Sequence, residues 1–233
     1  MQERFFTFAL PTESCARPNS TCHRVRGNSS TAASAKGSLG LALRAESAHE
    51  EGRKGVFRTK RWLESTTHIE LNFDAYEWAS ECTVTCLGVD KKQTFDLKGQ
   101  IYKTKSVLFV ENKSYTTPGN QAKDYMDFLA IAYSATVAEI ARTQDPRWEF
   151  MWVTTFPFAQ RQWTKLTKRS QIKKALEADQ SGLLDGQPID EEVLDLLAER
   201  IWLLVLNKRQ HDLTLSPKEL SKIEAKLNRK GKS

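Results

Sequence analysis

The sequence predicts a mixed α/β fold, in which a mixed sheet forms a core flanked by helices. An apolar strand is indicated by Val107–Val110, where three of the four residues are β-branched or aromatic. Near-helical spacing of apolar residues follows from Asn120 to Arg142. A second apolar strand, Glu149–Phe156, is then stopped by Pro157. A strand, a crossover helix and a further strand in this order are typical of an α/β core.

The chain begins with a segment of low apolar content. From Pro11 to Glu51 large apolar side chains are few, while Ser, Ala, Gly, Asn and Arg are frequent. Such a composition buries too little surface to offset the entropy lost on ordering, so we expect a mostly disordered leader over residues 1–52. Its Cys15, Cys22 and His23 would need a distant fourth ligand to bind zinc, and the gap between the cysteines is not the tight Cys-x-x-Cys spacing of zinc ribbons, so we do not expect a zinc site.

The predicted core opens with a basic helix near residues 53–64, in which apolar residues are spaced around the helix. Its basic residues are candidates for contacts with a nucleic-acid backbone: Arg58, Lys60 and Arg61. His68–Phe73 then alternates polar and apolar residues, as a half-buried strand does. Thr83–Gly88 is a second β-rich run. A helix followed by a meander of strands is therefore expected.

Charged side chains follow the apolar strand. Glu111 and Lys113 stand at i and i+2, so in a strand they share a face while Asn112 turns to the other side. Asp96 lies in another strand-like run, Gln93–Lys98, and would approach Glu111 if the two strands pair as neighbours. Two carboxylates on adjacent strands form a hard-oxygen site for Mg²⁺, and a lysine beside them can orient or activate a water.

This arrangement resembles the core of the PD-(D/E)XK nuclease superfamily, which has the restriction-endonuclease-like fold. The resemblance covers about Lys54 to Phe158 and rests on Asp96, on Glu111-Asn112-Lys113 and on the helix that follows. It implies a nuclease-like α/β core over residues 53–175, in which Asp96 and Glu111 bind Mg²⁺, or Mn²⁺ in its place. It also implies that Asp96, Glu111 and Lys113 are catalytic. The open alternative is a salt bridge at a strand end in some other α/β domain.

The start of the crossover helix adds a further candidate. Gln121 and Tyr125 lie one turn apart, and several branches of the superfamily place Gln-x-x-x-Tyr near the scissile phosphate. The resemblance therefore implies a catalytic role for Gln121, with a polar first-turn residue and a core tyrosine as the alternatives. Many members also carry an acidic residue on the first helix that completes the metal site. The candidates for it are Glu51, Glu64 and Glu77.

Beyond Pro157 the chain is first basic and then acidic. From Gln160 to Lys174 it has no acidic residue, and four of its basic residues are candidates to follow a phosphate backbone: Arg161, Lys165, Lys168 and Arg169. A solvated helix face is the alternative. We expect residues 176–233 to form a helical C-terminal extension, with one helix from Asp190 through Val205 and another starting at a capping box on Ser216.

Length and composition permit one sizeable core with appendages. The 233 residues are 39% hydrophobic and 27% charged, and the net charge of +6 permits a polyanionic partner. No apolar run is long enough for a membrane span, and the first residues make a poor secretory signal, so we expect a cytoplasmic protein. Cys82 and Cys86 lie in an apolar stretch and are expected to be buried free thiols.

The residues and the resemblance together predict a Mg²⁺-dependent phosphodiesterase that hydrolyses nucleic acid. DNA is the expected partner, and an endonuclease of bacterial restriction or defence type is the expected class. The alternatives are a non-catalytic module on the same fold that binds nucleic acid or docks a partner, and an RNA-processing enzyme. A homodimer, or a complex with a partner defence protein, is left open.

Overall fold

The computed structural model describes residues 50–88, 91–115, 117, 119–144, 147–223 and 226. Apart from residues 50–52, the expected leader and its zinc candidates lie outside the described residues. The helices are α1 (50–66), α2 (Gln121–Thr143), α3 (Arg169–Ala178), α4 (Glu191–Ala198), α5 (Lys208–His211) and α6 (Pro217–Ile223), with a 3₁₀ turn at Gln160–Lys165. The strands are β1 (Ile69–Asp74), β2 (Thr83–Thr85), β3 (Lys92–Thr94), β4 (Leu97–Ile101), β5 (Ser106–Lys113), β6 (Trp148–Thr154) and β7 (Ile201–Val205).

A five-stranded sheet with the order β1-β4-β5-β6-β7 lies at the centre. β4 pairs antiparallel with β1 and β5, whereas β6 runs parallel to β5 and β7. The parallel pairing of β5 with β6 is made through α2, as the crossover helix predicted. The expectation of a mixed sheet flanked by helices is therefore confirmed. β2 and β3 form a separate two-stranded sheet.

The two faces of the large sheet bury different apolar clusters. Phe109 and Trp152 pack with residues of α2, α3 and α4, and we call this side the α2 face. Leu108 and Val110 pack with residues of α1, and we call that side the α1 face. Successive residues of β5 thus point to opposite sides, as in any strand. The residues that follow Val110 in β5 therefore also alternate between the two faces.

The prediction of a single strand at Gln93–Lys98 is wrong, because this segment contains parts of two different strands. β3 pairs with β2, while β4 belongs to the large sheet, and Asp96 lies between them. β4 continues through Gly99, since glycine permits a close approach of β1 there. A Cβ atom on Gly99 would lie 1.9 Å from the carbonyl oxygen of Glu70. Burial against a neighbouring backbone, rather than a turn, therefore explains this glycine.

The prediction of one helix from Asp190 through Val205 is wrong for the second half of this segment. α4 ends at Ala198, and the apolar run Ile201–Val205 forms β7, which pairs in parallel with β6. Pairing with an open strand edge outweighs the local helical spacing there. The expected helical extension therefore supplies the fifth strand of the core sheet. α6 does begin at the predicted capping box, since the Ser216 N–H donates to Glu219 Oε2 at 2.8 Å.

Cys82 and Cys86 are buried and free, as expected. Burial, followed by the charge of Asp74, raises the pKa of the Cys82 thiol to about 11, so this cysteine is poorly reactive. Among the helices that the structure describes, none is both long enough and apolar enough to cross a membrane.

Candidate active site

The charged residues at the end of β5 are divided between the two faces of the sheet. Glu111 and Lys113 share the α2 face, where Lys113 Nζ lies 2.7 Å from Glu111 Oε1. Asn112 points to the α1 face, where its Oδ1 accepts a hydrogen bond of 2.7 Å from Thr59 Oγ1 of α1. The i,i+2 prediction is confirmed, and a buried hydrogen bond joins α1 to the strand that carries the charged pair.

Asp96 lies beside the same strand end. Leu97 is opposite Val110 in the pairing of β4 with β5, so continuing this register by one residue places Asp96 opposite Glu111. Asp96 Oδ2 accepts a hydrogen bond of 2.7 Å from the Asn112 N–H. The structure thus brings Asp96 close to Glu111 and Lys113, as the sequence predicted, although Asp96 lies just before β4 rather than within a strand.

The two carboxyl groups lie in poorly solvated surroundings. Burial, followed by the charge of Asp96, raises the pKa of Glu111 to about 7, although Lys113 acts against the rise. Burial also raises the pKa of Asp96, against the Asn112 N–H and Lys113. For Lys113, burial alone would lower the pKa, but Glu111 and the other carboxylates outweigh it and the pKa is raised. Two partly desolvated carboxylates side by side favour a cation at this place.

A pocket of about 180 Å³ opens beside Glu111 and Lys113 on the α2 face. α2 contributes the carboxylates of Asp124 and Asp127 to its lining. Asp127 is paired with Lys123 at 2.7 Å. Asp96 is not among the described residues that line the pocket. The lining therefore carries more carboxylates than ammonium groups.

Asp124 is the site residue that sequence reasoning missed. It lies in the first turn of α2, lines the pocket with Glu111, and accepts a hydrogen bond from the Tyr115 hydroxyl. Burial, followed by that hydrogen bond, raises the pKa of Tyr115 to about 12. A signal was present in the sequence, because Asp124 follows Gln121 at i+3 and so lies on the same side of the helix.

Gln121 does not reach the pocket. Its side chain is fully buried, its Nε2 donates to the Phe156 carbonyl at 2.8 Å, and its Oε1 accepts from Thr154 Oγ1 at 3.2 Å. Tyr125 is a buried core residue whose hydroxyl donates to the Leu166 carbonyl at 3.0 Å. Both polar groups are therefore used to attach the start of α2 to the chain beyond β6.

The acidic candidates near the first helix lie away from this pocket. Glu51 lines a different pocket on the α1 face, Glu64 accepts a hydrogen bond from the Leu71 N–H at 3.1 Å, and Glu77 is exposed. Within the part of the chain that the structure describes, no group of three or more His, Cys, Asp or Glu side chains is placed to hold a metal ion. Of the carboxylates that the sequence nominates as metal ligands, Asp96 and Glu111 are therefore the two that lie close together.

The predicted nucleic-acid-binding residues form two groups on opposite faces of the sheet. α1 carries Arg58, Lys60 and Arg61 on the α1 face. The 3₁₀ turn carries the exposed Arg161 and Lys165, with Lys168 just after it. This turn belongs to the α2 face, because Trp163 packs edge-on against Phe158 with ring centroids 6.3 Å apart. Trp163 is therefore partly buried in the core rather than presented to a ligand.

Two of these basic residues are held by the protein itself. Arg61 Nε donates to the Leu215 carbonyl at 3.0 Å and so ties α1 to the chain before α6. Arg169 pairs with Glu191 and, at 2.9 Å, with Asp195, which joins α3 to α4. Because both guanidinium groups already have partners within the protein, they are less available to a phosphate backbone than the exposed lysines.

No protein-family model, curated protein or solved structure matches this chain significantly.

Proposed function

We propose that this chain is a Mg²⁺-dependent phosphodiesterase that hydrolyses nucleic acid, with DNA as its substrate and endonucleolytic cleavage of restriction or defence type as its activity. The observation that carries the proposal is the meeting of Asp96, Glu111 and Lys113 at one strand end, where Glu111 and Lys113 open into a pocket. Paired carboxylates with an adjacent ammonium are a donor set suited to metal-assisted hydrolysis.

The order of the elements supports a restriction-endonuclease-like fold. Along the chain, the core consists of a helix (α1), three antiparallel strands (β1, β4 and β5), a crossover helix (α2) and a parallel strand (β6). This is the order that the resemblance to PD-(D/E)XK nucleases implies, with Asp96 directly before β4 and the Glu-x-Lys segment in the neighbouring β5. The β2–β3 pair and β7 are then additions to that core.

Asp96 and Glu111 fit a Mg²⁺ site by their chemistry. Mg²⁺ is commonly held by one or two carboxylates, with waters and substrate phosphates completing its ligands. Burial raises the pKa of both carboxyls, and the charge of Asp96 adds to the rise at Glu111; a divalent cation would favour the charged form of each. Bound Mg²⁺ would supply Lewis-acid polarisation of the phosphate and a lower pKa for a bound water. Mn²⁺ suits the same oxygen donors.

The chain's own residues position the reacting groups. The Lys113 ammonium, held by Glu111, is placed to orient a water or to stabilise charge that develops on the phosphate. Lys113 Nζ also lies 5.9 Å from the centre of the Trp152 ring, which limits where the ammonium can turn. Gln121 acts as a positioning residue, because its buried amide fixes α2, and with it Asp124, relative to β6.

The test is cleavage of supercoiled plasmid DNA by the purified protein with Mg²⁺ or EDTA. We expect Mg²⁺-dependent cleavage that falls about 100-fold or more in Asp96→Ala and in Lys113→Ala, as for the loss of a positioned charged group. Lys123→Ala is the matched control, since it removes an exposed ammonium near the pocket and should keep activity. Full cleavage by both site variants would refute the proposal, and circular dichroism verifies that each variant is folded.

A non-catalytic module is the second candidate, favoured by one observation. None of the described carboxylates of α1 lines the pocket beside Glu111, so the acidic residue that many related nucleases carry there is missing from the pocket. This candidate predicts salt-sensitive DNA binding with no cleavage in Mg²⁺ or Mn²⁺. Including RNA among the substrates separates an RNA-processing enzyme from both.

A further inference from the structure

A second pocket, of about 380 Å³, lies on the opposite side of the same strand end. Asn112 and Ser114 face it, because they alternate with Glu111 and Lys113 along the chain. α1 contributes Arg58 to the lining, and α5 contributes Lys208 and His211. We call it the α1-face pocket. It shares β5 with the candidate active site but belongs to the other face of the sheet.

The basic side chains of this pocket lack acidic partners. Arg58 and Lys208 make no ion pair or hydrogen bond with any residue that the structure describes. The carboxylate in the lining, Glu51, is paired with Lys54 at 3.1 Å. The pocket therefore keeps an excess of positive charge, in contrast to the carboxylate-rich pocket on the α2 face. An excess of this kind attracts anions.

His211 adds a buried polar atom that is not satisfied. Its Nδ1 is inaccessible to solvent and has no hydrogen-bond partner among the described residues. Such atoms are rare in folded proteins and call for an explanation. Burial, followed by the charge of Arg58, lowers the pKa of His211; Arg61 also lowers it and Asp212 opposes them. An anion beside Arg58 would offset this repulsion and favour the charged form of the imidazole.

The shape of the pocket brings a further donor close. A Cβ atom on Gly55 would lie 2.3 Å from Ser114 Oγ, so α1 approaches the strand end closely at this glycine. The Ser114 hydroxyl therefore lies beside the helix that carries Arg58. Guanidinium, ammonium, imidazole and hydroxyl groups around one cavity are the donors that phosphate oxygens accept from best.

We propose that the α1-face pocket binds a phosphate group. Its recognition depends on Arg58, Lys208 and His211, and it requires neither Mg²⁺ nor cleavage. The phosphate belongs either to a nucleic-acid backbone or to a small phosphate compound such as a mononucleotide, since both present the same oxygens. In the first case the pocket guides a strand past the end of β5, and in the second it is a separate ligand site.

The full-length protein is titrated in EDTA with inorganic phosphate, a mononucleotide and a short DNA duplex. Arg58→Gln and Lys208→Gln should each weaken binding about tenfold, as expected for losing a charged hydrogen bond. Arg147→Gln is the matched control, because it removes an exposed charge at the opposite end of β6 and should change affinity less than about twofold. Nuclear magnetic resonance of the His211 imidazole reports whether the phosphate reaches the pocket. Thermal melting verifies that the variants fold.

The outcomes separate the sources and the two proposals. Binding of the duplex alone assigns the pocket to a nucleic-acid backbone, and binding of the small probes assigns it to a free phosphate compound. Unchanged affinity in both pocket variants, an equal loss in Arg147→Gln, or an unshifted His211 signal overturns the proposal. Because cleavage is blocked in EDTA, plasmid cleavage without a pocket effect refutes only the pocket, and a pocket effect without cleavage refutes only the nuclease.

Discussion

Glu111 is the residue at which opposing interactions meet. Its carboxylate lies 2.7 Å from the Lys113 ammonium, yet burial and the neighbouring Asp96 disfavour its charge. One ion pair seldom offsets the cost of removing two carboxylates from water. Without a cation, the ionised form of Glu111 therefore lowers the free energy of unfolding. Carboxyl groups with pKa values shifted in this way are common at functional sites.

We expect Glu111→Gln to stabilise the metal-free protein at about pH 8 and to have little effect near pH 4.5. The pKa of Glu111 rises from 4.5 to about 7 on folding, so the folded state binds more protons between these values and wild-type stability falls as the pH rises through them. At about 1.4 kcal/mol per pKa unit, the wild-type protein loses on the order of 3 kcal/mol that the variant keeps.

Urea denaturation in EDTA at both pH values measures this difference. Glu177→Gln, which removes an exposed carboxyl from α3, is the matched control and should change stability by less than about 0.5 kcal/mol. A Glu111→Gln effect of the same size at both pH values would contradict the assigned environment. Added Mg²⁺ should stabilise the wild-type protein more than the variant, since only the wild-type keeps both carboxylates.

At the level of elements, the site depends on β4 lying tightly between β1 and β5. The pairing of β1 with β4 shifts its register between Glu70 and Phe73, and the irregular part of β1 passes directly over Gly99. β4 in turn starts one residue after Asp96, so its position determines where Asp96 meets Glu111. We therefore expect a substitution that displaces the β4 backbone also to displace Asp96 relative to Glu111.

Gly99→Ala should destabilise the fold by about 3 kcal/mol, the upper part of the usual cost of overpacking. The new methyl group would lie 1.9 Å from the Glu70 carbonyl oxygen and 2.6 Å from the Leu71 Cα atom, and backbone atoms cannot turn aside as a side chain can. Gln100→Ala, at an exposed position of the same strand, should stay within about 0.5 kcal/mol of the wild-type protein. Chemical denaturation compares them, and equal stability of the two variants would contradict the close approach.

At the level of the whole molecule, the positive charges of the chain serve different purposes. The exposed Arg161, Lys165 and Lys168 make no ion pair with any described residue, and they lie on the face that carries the candidate active site. Arg169 instead forms a network with two acidic residues of α4. A basic stretch in the sequence therefore includes both candidate phosphate contacts and a structural link between helices.

We expect Lys165→Gln and Lys168→Gln to weaken DNA binding and to reduce the salt dependence by about one unit of slope each. Arg169→Gln removes the same charge but should change DNA affinity less than about twofold, because its guanidinium is already paired across helices. Binding isotherms in EDTA at several salt concentrations test this. A loss of slope in Arg169→Gln as large as that in Lys165→Gln would show that the network opens to DNA.

The sequence by itself determined the fold class and the most local part of the site. Strand, helix and strand follow from hydrophobic spacing, and the shared face of Glu111 and Lys113 follows from the twofold period of a strand, because both depend only on near neighbours in the chain. The capping box at Ser216 is local in the same sense. These features can be predicted without knowing which distant segments meet.

Only the tertiary structure decided the rest, because each remaining feature depends on contacts between distant segments. Ile201–Val205 became a strand because β6 offered an open edge, against local helical spacing. Gln121 was buried by contacts with the chain beyond β6, and Asp124 was brought to the pocket in its place. Arg169 was neutralised by α4, and the α1-face pocket was formed from residues of α1, β5 and α5. Burial and pairing are properties of the packed chain, and no local pattern encodes them.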